Sequence, residues 1–132
     1  MTDKFEIIDA SAGSGKTFSL ASNVIIKILT GDEDSYKKVL ALTFTNNSAN
    51  EMKKRILDEL KQISIEPSKS LVFQTSGLSK LFSESSIKGK AKRILNKILH
   101  NFSFFQVSTI DKFNHRLIRH FLATWHYLMI LT

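Results

Sequence analysis

The sequence predicts an α/β fold in which a parallel sheet carries helices on its flanks. Three observations predict it. The run Val39–Phe44, "VLALTF", is almost unbroken in apolarity, as expected of a strand covered on both faces. Apolar residues at helical spacing lie before and after it. A glycine-rich turn, "ASAGSGKT" at 10–17, stands between a short apolar run and the first of those helical patterns.

Taken in order, Lys4–Asp9 is predicted to be a short strand, with Phe5, Ile7 and Ile8 as β-formers. Beyond the turn, Leu20, Val24 and Ile28, with Ala21, Ile25 and Leu29, mark one helix face, and Gly31 supplies a stop. After the second strand at Val39–Phe44, a helix is predicted over Asn47–Ile63. Its apolar stripe is Ala49, Met52, Ile56, Leu60 and Ile63, and charges cover its other sides. Pro67 ends that element. The serine-rich stretch Ser68–Ser86 reads as a loop with one short helix. Lys90–Phe102 is predicted to be an amphipathic helix burying Ala91, Ile94, Leu95, Ile98, Leu99 and Phe102, its lysines and Arg93 facing solvent. Phe104–Ser108 reads as a third strand and Asp111–Leu122 as a final helix, giving the order β-α-β-α-α-β-α.

With 132 residues the chain has the length of one domain. Hydrophobic residues make up 42%, which suits a globular core. There is no cysteine, which rules out disulfides and thiolate metal sites and favours a reducing cytoplasm. Neither a signal peptide nor a run long enough to span a bilayer is visible, so no membrane association is expected. The net charge of +7 is uneven: residues 1–34 carry three basic and six acidic side chains, the rest sixteen basic and six acidic. Such an excess suits a polyanionic partner, or simply a soluble basic surface.

The turn carries the most specific chemistry. Ala10, Ser11, Ala12, Gly13, Ser14, Gly15, Lys16 and Thr17 match the phosphate-binding pattern G-x-x-x-x-G-K-[ST] at every defined position except the first, where Ala10 replaces glycine. Gly13 and Gly15 let backbone N–H groups turn toward phosphate oxygens. Lys16 has the reach for the β- and γ-phosphates, and the Thr17 hydroxyl is the candidate Mg²⁺ ligand. A helix beginning at the turn presents its positive end to the anion. The predicted ligand is a nucleoside triphosphate with magnesium. A plain glycine-serine connector is the competing reading.

Two later stretches narrow the class: "LTFTNNSANEMKKRI" at 42–56 and "STIDKFNHRLI" at 108–118. With "ASAGSGKT" before them, they resemble the opening motifs of UvrD/Rep-type DNA helicases of superfamily 1. The "ASAGSGKT" and "TID" forms are most similar to the RecB/AddA helicase-nucleases. The resemblance covers roughly residues 5–120 and leaves 121–132 unassigned. It implies a P-loop NTPase domain of RecA-like architecture, ATP and Mg²⁺ as cofactors, single-stranded or duplex-end DNA as substrate, and other helicase-nuclease subunits as partners. Carried over by position, it implies DNA contacts at Thr43, Phe44, Thr45 and Asn46, and in the third motif at Thr109 and Phe113, with Ser108 and Asp111 beside them. Many relatives have histidine where Asp111 stands. Phe44 is suited to stacking on a base, or to a place in the core. Arg116 and Arg119 share a helix face that is either solvated or turned to backbone phosphates.

Hydrolysis needs more than binding. A motor holds Mg²⁺ and orients water with an Asp-Glu pair ending an apolar strand. The two Asp-Glu pairs, Asp32-Glu33 and Asp58-Glu59, sit on or after predicted helices, and Asp111 follows a strand interrupted by Ser108 and Thr109. His115 and His120 are five apart on a helix and point in different directions, so no metal site is expected from them. The expectation is the amino-terminal part of a helicase ATP-binding domain, from a truncated gene product, that binds ATP without unwinding DNA alone. A small phosphotransferase and a non-catalytic nucleic-acid-binding relic are the alternatives.

Overall fold

The computed structural model describes residues 14–131. The predicted strand at Lys4–Asp9 and the loop residues Ala10–Gly13 lie outside the described residues.

Helix α1, Ser14–Thr30, buries Leu20, Ala21, Val24, Ile25, Ile28 and Leu29, the six positions its periodicity singles out. It stops at Gly31, where a Cβ would come within 2.7 Å of the Ser35 Cβ. A short 3-10 turn at Ser35–Lys38 seats Tyr36 in the core and leads into β1, Leu40–Thr43. Only Ala41 and Thr43 of β1 are fully buried, with Leu40 and Leu42 half-covered, so this strand is sealed on one face rather than on both. The expected strand is accordingly trimmed at both ends, and Phe44 lies outside it.

Helix α2, Asn46–Ile65, buries the predicted stripe Ala49, Met52, Ile56, Leu60 and Ile63. Burial of five such side chains contributes on the order of 1.5–3 kcal/mol for each large one. The 68–86 stretch corrects the expectation of a loop with one short helix. It holds α3, Leu71–Thr75, and α4, Leu78–Leu81, and Val72, Phe73 and Leu78 belong to the core. Buried Ser70 explains why serines tolerate this role. Its hydroxyl donates to Glu59 Oε2 at 2.8 Å and accepts from the Phe73 N–H at 3.2 Å, capping α3. Gly77, at φ 79°, makes the left-handed step between α3 and α4.

Helix α5, Glu84–His100, starts six residues earlier than its lysine-rich pattern suggests, with Ser83 as N-cap and Glu84 in the first turn. Its buried stripe is Ile87, Ala91, Ile94 and Ile98, with Leu95 packed beside it. Leu99 and Phe102, expected inside, are exposed. Leu99 falls off the stripe, and Phe102 lies beyond the helix end at Asn101, in a 3-10 turn. Strand β2, Gln106–Thr109, pairs with β1 in parallel, Leu40 opposite Gln106 and Thr43 opposite Thr109. Helix α6, Ile110–Leu131, continues through the stretch left unassigned by sequence.

The described fold is therefore helix-rich around a two-stranded parallel sheet, with α2 packed between α1 and α5. The parallel pair needs a long crossover, and α2 to α5 provide it. Among the described residues no helix is long and apolar enough to cross a membrane.

Candidate nucleotide and nucleic-acid site

Helix α1 opens at Ser14, so Ser14, Gly15, Lys16 and Thr17 form its first turn. The first four N–H groups of any α-helix lack intrahelical acceptors and point outward from the positive end of the dipole. That backbone arrangement fits an anion seated against the turn. Ala10, Ser11, Ala12 and Gly13 lie outside the described residues.

The second group of candidates gathers at the carboxyl ends of the strands. Thr43 and Thr109 are register partners, and both are buried. Their hydroxyls serve the turns that follow. Thr43 Oγ1 donates to the Thr45 carbonyl at 3.2 Å, and Thr109 Oγ1 accepts from the Lys112 N–H at 3.2 Å, capping α6. Thr45 in turn caps α2, accepting from the Ser48 N–H at 3.1 Å. Buried and internally bonded, Thr43 and Thr109 shape the end of the sheet. What the turns hold outward is Phe44, 65% exposed, with Thr45 and Asn46 also exposed. Phe113 is half-buried, and Asp111 is exposed in the first turn of α6. Of the two roles open to Phe44 in the sequence, a core position is the one this exposure excludes. Arg116 donates through Nη2 to Ser108 Oγ at 3.1 Å.

The two Asp-Glu pairs are deployed elsewhere. Glu33 accepts from Arg93 Nε, and Lys97 Nζ lies 3.3 Å from Asp34 and 3.5 Å from Glu33. Lys90 Nζ donates to the Gly31 carbonyl at 2.6 Å. The basic stripe of α5, expected to face only solvent, thus clasps the acidic turn after α1. The Arg93 hydrogen bond, aided by the charges of Arg93 and Lys97, holds the Glu33 carboxyl below its ordinary range. For Lys97, loss of water pulls the pKa down, but the Asp34 and Glu33 carboxylates outweigh it and the ammonium stands raised. Asp58 and Glu59 lie within α2, Glu59 tied to Ser70. Among the described residues neither Asp-Glu pair ends a strand, and no three metal-ligating side chains converge.

Comparison with known proteins decides the class. The profile described as UvrD/REP helicase N-terminal domain matches residues 2–128. The chain belongs to the UvrD/REP helicase N-terminal domain family. It is 35% identical over 107 residues to the RecBCD enzyme subunit RecB of Chlamydia trachomatis, covering 81% of this chain and 10% of that protein. It is 32% identical over 113 residues to an ATP-dependent helicase/nuclease subunit from Lactococcus lactis, covering 86% of this chain and 8% of that protein. The protein of the same name from Staphylococcus haemolyticus is 48% identical over 60 residues, 46% of this chain and 5% of that protein. This UvrD/REP-family chain spans between 5% and 10% of the length of such relatives. No solved structure gives a significant match.

Proposed function

We propose that the chain is the nucleotide-binding, DNA-engaging amino-terminal part of an ATP-dependent DNA helicase of the helicase-nuclease type, acting in the cytoplasm with other subunits of such an assembly. In this reading Ala10–Gly13 with Ser14, Gly15 and Lys16 hold the triphosphate of ATP and Thr17 ligates Mg²⁺. The observation that supports it is the start of α1 at Ser14, which makes Gly15, Lys16 and Thr17 part of the first turn of a helix, the end that favours anions. Membership of the UvrD/REP family supports it, as does the activity after which the relatives are named, ATP-dependent helicase/nuclease.

A divalent cation held by Thr17 would supply charge neutralisation for phosphoryl transfer. The chain's own residues bind and orient. The β1-β2 pair would be two neighbouring strands of a RecA-like sheet, and Phe44, Thr45 and Asn46 would present a ring face and two polar side chains to single-stranded DNA at its carboxyl end. Phe113 would sit beside them. Base stacking on Phe44 reads no sequence, which suits a translocating enzyme.

Neither Asp-Glu pair is free for catalysis at a strand end, so the chain by itself is expected to bind ATP and not to turn it over rapidly. Phosphate release from ATP, measured with and without oligo-dT, tests this. The expected result is no DNA-stimulated turnover above a Lys16→Ala control. Robust stimulation by DNA would contradict it.

A further inference from the structure

A cleft of about 500 Å³ runs between α6 and the segment containing β2. Lys112, His115, Arg116 and Arg119 line it from α6, Lys53 enters from α2, and Phe102, Ser103, Gln106 and Ser108 form its floor and end. Among the described residues no carboxylate lines it. Arg93 and Lys97 of α5 are ion-paired to Glu33 and Asp34, whereas among the described residues Lys53, Lys112, Arg116 and Arg119 enter no ion pair. Gathering four cations in one concavity costs Coulomb repulsion unless an anion is shared among them. The cleft also offers an aromatic face. Phe102 is 44% exposed, with Lys53 Nζ 5.5 Å from its ring centroid.

We propose that this α6–β2 cleft is a second seat for single-stranded nucleic acid, used without bound nucleotide. Lys53, Lys112, Arg116 and Arg119 take backbone phosphates, and Phe102 stacks a base. It extends the DNA-binding reading above but uses different residues. Phe102 precedes β2 while Phe44 follows β1, so in a parallel pair the two rings stand at opposite ends of the sheet. The stretch from Lys112 to Arg119 spans roughly 10 Å of helix, a path linking those ends.

The test is fluorescence anisotropy of labelled oligo-dT with the purified chain, titrated at several salt concentrations. Replacing both Lys112→Gln and Arg119→Gln removes two exposed cations with no core contact. The expected result is at least tenfold weaker binding and a log–log salt slope flatter by about 1.4, two phosphates at ~0.7 each. Phe102→Ala is expected to weaken binding about tenfold at unchanged slope. Lys53→Gln, on another helix, repeats the test should the α6 pair disturb folding by circular dichroism. Unchanged affinity and slope in these variants overturns the proposal. So does an equal affinity for a polyglutamate peptide, which would mark a general anion sink, or a strict requirement for ATP. Loss with Phe44→Ala alone confines DNA to the strand ends and overturns it too. Loss with the cleft variants but not with Phe44→Ala upholds the cleft and removes the Phe44 platform instead.

Discussion

Thr43 and Thr109 face each other across the parallel pair, and each closes its strand by bonding the backbone of the turn beyond. Two segments 66 residues apart in sequence thereby end at one level. Exposed Phe44 and the first turn of α6 each follow directly from one of these two buried threonines.

The outward ring follows from that arrangement. Phe44→Ala removes 65%-exposed surface and leaves the core intact, so stability is expected to change by less than about 0.5 kcal/mol. Oligo-dT affinity is expected to fall by about 1–3 kcal/mol. Thermal melts and anisotropy check the two halves separately.

The capping hydroxyl has the opposite profile. Thr109→Val keeps the shape and removes the acceptor of the Lys112 N–H, with an expected cost of about 1 kcal/mol in denaturant melts.

Packing across α2 sets the largest effect. Ile56 is fully buried, and Ile56→Ala should destabilise by about 2–5 kcal/mol through lost burial and the cavity left behind. Urea unfolding measures it, with an unchanged m-value as the sign that the fold itself persists.

The α1–α5 clasp is a pH-dependent feature. Because the folded Glu33 carboxyl is depressed, its contribution is present above the ordinary value of 4.5 and is lost as pH falls through the folded value. Raised Lys97 contributes below its ordinary value of 10.5 and ceases to as pH rises through the folded one. Both groups are only partly covered, so the effect is small and screened by salt. Melting temperatures of wild type and Glu33→Gln are expected to differ at neutral pH in low salt and to converge as pH falls through the folded value of Glu33.

Much of this was readable in the residues, and the reasons differ by element. The α1 and α2 stripes repeat strictly at 3.6-residue spacing, so their buried faces follow from periodicity alone. The α5 face was displaced because Ile87 precedes the lysine-rich pattern, while Leu99 and Phe102 continue it in composition but not in phase. Residues 68–86 defeated composition: Ser70 and Gly77 look like loop markers but act as a buried cap and a left-handed hinge. At the strand ends, the motif letters single out Phe44 but do not choose between core and surface, which its 65% exposure does. The α6–β2 cleft was out of reach, since Lys53, Phe102 and Arg119 come together only through tertiary packing.

The central claim is that the turn at 10–17 grips a triphosphate and its magnesium. Equilibrium titration of labelled ATP·Mg²⁺ into the purified chain and its Lys16→Ala variant tests it most directly. The account predicts saturable binding by the wild type, weakened at least tenfold by the substitution and by removal of magnesium. Equal binding by both proteins would contradict it.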